Sequence, residues 1–503
     1  MSGQAFLAHN QLHEDLFSFL PSKDILNLRC VANTCDTTVV AFAKAQVHDV
    51  LGQTLNVTSS QDDDERPVKK LDAHLLQLLI VSGDDIGQLL LDSPESACVR
   101  TISRRLIKES TKEVMDKALA TLCGAMGKLF DSLTTPSITE ERKQLVLSKC
   151  SQLQVLDVSD ALWAVTEEFM IQVANNCRQL ELLNVSRAKA VTDKSMKLVA
   201  TNCHRLKSLN VSFTEPNITD ESMVLVAANC HQLQSLDVSW SGGAITDEFM
   251  KLVATGCPHL HTLNVSSSKG AITDESMKLV AANCRQLSSL CVARTLGRIT
   301  DETLKLVALN CRQLRSLDVA ANDGKITDES MKLVGANCLQ LRVLNVAASP
   351  GTITDESMKV VASNCKYLQS LTIAGTLGKI TDESISLLAD NCHQLQVLDV
   401  SFSSGGITDA SMKLVLDKSP ELRSLNVSKT QGKITDESMK VLAATCRKLH
   451  SLNVSATEGK ITDAGMKLVT AQCRQLRQLN VKSTEGKITG ESLKLIRNCR
   501  LVW

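Results

Sequence analysis

The phrase ITDESMKLVAANC at residues 272–284 returns as ITDESMKLVGANC at 326–338, and with small changes along most of the chain. Its cysteines stand at 150, 177, 203, 230, 257, 284, 311, 338, 365, 392, 446, 473 and 499. The step is 27 residues, except for two steps of 26 (177→203 and 473→499) and one double step, 392→446, in which Ser419 takes the cysteine's place. The earliest good copy, SITEERKQLVLSKC, contains Ile138, so about 14 units occupy residues 136–503. A unit this short cannot bury its own apolar face. A fixed period of 20–50 residues therefore predicts an array in which each unit packs on its neighbours.

The hydrophobic period changes inside each unit. Met277, Val280, Ala281 and Cys284 follow the i, i+3, i+4, i+7 spacing of one helix face. Thr273 is placed to cap that helix, and Asp274 and Glu275 put negative charge on its first turn, where the dipole favours it. Leu287, Leu290 and Val292 then give LxxLxV, whose last two members alternate as in a short strand with one buried face. A loop with Gly297 leads to Ile299 and the next helix. The expected fold is an α/β solenoid with a parallel inner sheet and outer helices.

These units resemble cysteine-containing leucine-rich repeats, whose pattern runs LxxLxL and then ITDxxLxxLAxxC. The resemblance implies a ribonuclease-inhibitor-like horseshoe over residues 138–503. The chain departs from it at one position, where an Asn or Cys is usual. Here stand Thr214, Ser241, Ser268, Thr295, Asn322, Ser349, Thr376, Ser403, Thr430, Thr457 and Thr484. They are expected to form a ladder of polar side chains that satisfies buried loop backbone. The recurring cysteine is expected to be a small buried hydrophobe. No C-x2-C pair offers a zinc site, and Ser419 in one such slot fits packing better than ligation. H-E-x-x-H, a P-loop and G-x-S-x-G are absent, so no catalytic residue and no cofactor are expected.

Charge narrows the class of partner. The 55 basic and 55 acidic residues balance, and aromatics make up 3%. That leaves neither an electrostatic footprint for nucleic acid or a membrane surface nor a set of base-stacking rings. The opening segment is interrupted by charged and polar residues, and no apolar run reaches the length of a membrane span. A cytoplasmic or nuclear setting with reduced cysteines is expected.

Residues before about 135 do not follow the repeat. In LFSFLPSKDILNLRCVANTC, residues 16–35, the reading is helix, Pro turn, helix, with Ile25, Leu28 and Val31 on one face of the second. Such helices could simply cap the open end of the array. The segment also resembles an F-box, the short helical module that docks on the Skp adaptor of cullin–RING ubiquitin ligases. It departs in having Ala8-His9 where Leu-Pro is usual, and in lacking the tryptophan that commonly follows. The resemblance implies adaptor contacts or module core at Leu16, Phe19, Leu20, Pro21, Ile25, Leu28 and Val31. The expected division is an F-box-like module at 1–57, a polar linker at 58–67, a helical collar or eroded repeats at 68–135, and the repeats from 136. The resemblance implies a non-catalytic substrate-recognition subunit of an SCF-type ligase acting in proteasomal protein degradation. The alternative is a repeat scaffold or sensor whose N-terminal helices only cap it.

The outward strand positions form a uniform lawn of small polar residues, such as Ser235, Asp237 and Ser239. Variation begins one position later, where Arg187, Phe213, Trp240 and Arg294 occupy equivalent places in their units. Phe213 and Trp240 are expected to be neighbours, and aromatic rings flanked by Arg have the composition of a protein-binding hot spot. Folding of one or both rings onto the loop is the competing expectation. Cys291 replaces the usual Asp or Asn of the lawn.

Overall fold

A computed structural model describes residues 101–103, 151, 153–159, 165–494 and 499–502. The F-box-like stretch 16–31 and the linker 58–67 lie outside the described residues. The chain divides into two compact units, Met1–Leu233 and Gln234–Trp503. In the first, strands β1 (Thr101–Ser103), β2 (Val155–Asp157), β3 (Leu182–Asn184) and β4 (Ser208–Asn210) pair in parallel in that order. Helices α1 (Glu167–Asn176), α2 (Asp193–Asn202) and α3 (Asp220–Asn229) alternate with them. The second unit continues the alternation from strand Ser235–Asp237 to strand Arg500–Val502, all parallel and in sequence order. This is the expected α/β solenoid. β1 falls inside the stretch 68–135, where its backbone joins the sheet edge at β2.

Each helix is made the same way. In helix Asp274–Asn283 the Thr273 hydroxyl accepts the Glu275 N–H at 3.1 Å, with Thr273 in extended backbone as an N-cap requires. The helix stops at Cys284, whose backbone leaves the helical region while its N–H still reaches the Val280 carbonyl at 2.8 Å. Met277, Val280, Ala281 and Cys284 are buried, as are Leu287, Leu290 and Val292 from the strand side. Burying each of the Met, Val and Leu side chains stabilises the fold by about 1.5–3 kcal/mol. Among the described residues the repeat cysteines from Cys177 to Cys473 are free and buried among these apolar groups, and Cys499 is half-buried. Burial pushes the Cys284 thiol up to about 11 and that of Cys311 up to about 12. From Cys284 to Cys392, and again at Cys446 and Cys473, the thiol lies near the previous repeat's carbonyl at the same site, with Cys284 Sγ 3.5 Å from the Cys257 oxygen. Ser419 fills the slot with its side chain equally buried, and its carbonyl accepts from Cys446.

The aspartate after the capping threonine does more than charge the first helical turn. Asp328 reaches into the next unit, where its Oδ1 accepts the Thr354 N–H at 2.9 Å and its Oδ2 the Thr354 hydroxyl at 2.6 Å. The buried Ser357 hydroxyl donates to Oδ1 at 2.5 Å. The same three-bond staple is built by Asp193, Asp274, Asp301, Asp355, Asp382 and Asp409. On the outer helix surface, lysines pair with the glutamate of the following helix, as in Lys305–Glu329 and Lys332–Glu356, both at 2.6 Å. Exposed pairs of this kind contribute little individually, about 0–1 kcal/mol.

The expected polar ladder is only partly realised. Thr214, Thr295, Thr430, Thr457 and Thr484 each donate to the carbonyl three residues earlier, and Asn322 bonds the Val319 carbonyl and the Ile326 N–H. Ser241, Ser268, Thr376 and Ser403 bury a hydroxyl with no partner. The loop backbone there is already satisfied by main-chain turns such as Gly406 N–H to Ser403 carbonyl at 3.1 Å.

Candidate interaction site

The variable positions sit where each strand ends, and a side-chain turn sets the ending. Asn264 Oδ1 accepts the Ser266 N–H at 3.1 Å, and Asp318 and Asp399 do the same for Ala320 and Ala-equivalent Ser401. Asn and Asp are the residues that close such turns. The following residue then enters the left-handed region: φ is 59° at Arg187, 58° at Phe213, 55° at Trp240 and 56° at Arg294. Its N–H still bonds the next unit, as Trp240 does to Ser266 and Arg294 to Ala320. The side chain is left free of the core. Phe213 is 37% exposed and Trp240 43%, and both arginines are exposed. Packing does not dictate identity here, so the sequence varies.

The uniform lawn has a structural reason. Its Asp and Asn groups close strand-end turns and bond one another, as in Asn264 to Asp237 at 3.1 Å and Asn345 to Asp318 at 3.0 Å. Groups occupied in this way hold the strands rather than recognise a partner. Cys291 is half-buried, and its thiol is pushed up to about 11 by burial and by the Asp318 charge, which leaves it a poor nucleophile.

Of the four residues singled out from sequence, Arg187 and Phe213 come together in the first unit, the guanidinium 4.5 Å from the ring centre. Trp240 and Arg294 belong to the second unit. A third aromatic exit lies in the second unit, at Phe402. Phe402 has φ 55°, is 48% exposed, and carries the Lys429 ammonium 4.3 Å from its ring centre. The signal was present in the sequence, since Phe402 occupies the same place in its unit as Trp240. The loops also expose Leu296 and Leu377. Among the described residues no cluster of His, Cys, Asp or Glu could hold a metal ion, and no helix is long and apolar enough to cross a membrane.

Neither a protein-family model nor a curated protein matches the sequence. Among solved structures, the chain is similar to a chain of the Rad7 and Elc1 complex in yeast. The TM-score is 0.56 at 18% identity, over 78% of this chain and 93% of that one. At this identity the likeness shows the fold alone, a leucine-rich-repeat-like solenoid of parallel strands.

Proposed function

We propose that the chain is a non-catalytic recognition subunit of an SCF-type ubiquitin ligase. The N-terminal segment 16–31 would hold a Skp-type adaptor, and the repeat array would present a protein substrate. The observation that carries this reading is the contrast between a uniform repeat and two places where uniformity fails. One is the sequence LFSFLPSKDILNLRCV, with Leu16, Phe19, Leu20, Pro21, Ile25, Leu28 and Val31. The other is the set of exposed strand exits at Arg187, Phe213, Trp240 and Arg294. Support also comes from a chain of similar fold having been solved in a two-protein complex. The chemistry asked of this chain is proximity, holding a substrate lysine near a ubiquitin-charged enzyme bound elsewhere.

Titrating the full chain with a purified Skp-type adaptor tests this directly. Saturable binding is expected, and it should be lost in the Leu20→Asp, Pro21→Ala double variant. A folded chain that binds no adaptor would leave the second reading, a repeat scaffold whose N-terminal helices only cap the array.

A further inference from the structure

We infer that the loop edge from Gly375 to Lys433 in the second unit is a docking ledge for an acidic peptide segment bearing an apolar side chain. Three observations converge on it. The first is exposed apolar surface held in costly backbone. Phe402 (φ 55°) and Leu377 (φ 54°) are 48% and 58% exposed in the left-handed region, where other repeats hold Ala, Ser or Gly at the first place and Ser404, Gln431 or Glu458 at the second. The fold does not require a ring or a leucine at either place.

The second is charge without a counter-charge. Several outer-surface lysines pair with glutamates, as Lys332 does with Glu356. Among the described residues, Lys379, Lys429 and Lys433 form no ion pair. The loops at 348–352, 375–379, 402–406 and 429–433 contain no Asp or Glu, whereas the flanking loops carry Asp323 and Glu458. The edge is therefore basic on a chain whose net charge is zero, with the Glu458 carboxylate reaching over Gly432 at its far end.

The third is room. The loops stack closely: a side chain added at Gly378 would lie 3.6 Å from the Ser404 Cβ. Yet Gly375, the exit preceding Phe402, offers no side chain, while Lys429 at the following exit stands over the ring. An apolar side chain can enter beside Phe402 and Leu377 while flanking carboxylates meet the lysines. Aromatic and cationic anchors side by side are the composition that binding energy concentrates on. A basic or neutral peptide would leave the three ammonium groups unmatched.

The inference stands on the solenoid and does not need the adaptor reading. The test is selection from a displayed library of random twelve-residue peptides, using the full chain without adaptor. Enrichment of sequences with Asp or Glu around Leu or Phe is expected. A synthetic peptide from that set should bind at least tenfold more weakly to Phe402→Asn and to the double variant Lys429→Glu, Lys433→Glu, and more weakly as salt rises. Asn accepts the left-handed region readily, so an unchanged urea midpoint shows that Phe402→Asn remains folded. The inference is overturned by an absence of enrichment, by enrichment of basic or neutral sequences, or by binding that survives both variants. A concentration-dependent dimer abolished by the same variants would identify a second copy as the occupant and overturn it as well. Adaptor titration of these variants should be unchanged, which separates failure here from failure of the ligase reading.

Discussion

Phe249 and Phe402 are the same residue type under opposite constraints. Phe249 is fully buried at the start of its helix, so Phe249→Ala should cost about 3–5 kcal/mol in urea unfolding. Phe402 rests half-exposed in left-handed backbone that costs an L-residue about 1–2 kcal/mol. Its contact with Lys429 returns about 0.5–1 kcal/mol. Phe402→Asn should therefore leave the midpoint unchanged or raise it. A loss above about 1 kcal/mol would mean that the ring packs rather than waits for a partner. The buried hydroxyls divide by the same reasoning. Thr457 donates to Val454 at 3.1 Å, whereas Thr376 has no partner. Thr457→Val should lower stability by about 1 kcal/mol, and Thr376→Val should be neutral or stabilising. Equal effects in the two variants would show that the partner plays no part.

The elements show what local sequence reveals. Helix Asp274–Asn283 follows from four apolar positions and one capping threonine, and Leu290 and Val292 mark their strand, because both signals lie within a few residues of what they specify. The staples were not legible, since Asp328 meets its partners 26 and 29 residues away and looks locally like any first-turn aspartate. The left-handed exits were also hidden, because Arg, Phe and Trp do not signal positive φ as glycine does. Only their variability pointed there. A helical glycine adds a case in which local propensity and packing disagree. Gly335 occupies a place held by alanine in the helix Asp274–Asn283, and propensity favours Gly335→Ala by about 1 kcal/mol. An added Cβ would stand 2.9 Å from the Val361 backbone nitrogen, so the neighbouring helix would have to move. The substitution should lower the urea midpoint, and a raised midpoint would show that the helices separate at little cost.

At the scale of the whole molecule, a carboxylate joins successive repeats at each of the staples described above, so stability should depend on acid in a predictable direction. Burial pushes the Asp328 and Asp382 carboxyls up, but hydrogen bonds from Ser357 and Thr354, and from Ser411 and Thr408, outweigh it and hold both below 3.8. Asp247 and Asp463 are lowered in the same way. A folded-state value below the unfolded one means that the native chain holds its proton less tightly. The contribution is fully present above about pH 3.8 and is lost as pH falls through the lower folded values. Urea midpoints should therefore drop steeply below pH 4. The double variant Asp328→Asn, Asp382→Asn should start lower at pH 7, by about 1–3 kcal/mol per site, and then fall less with acid. Because units in an array contact only their neighbours, weakening two interfaces should also broaden the transition or divide it in two. Parallel acid slopes for variant and parent would remove the aspartates as the source of pH dependence. A single sharp transition in the variant would show that coupling extends beyond adjacent units.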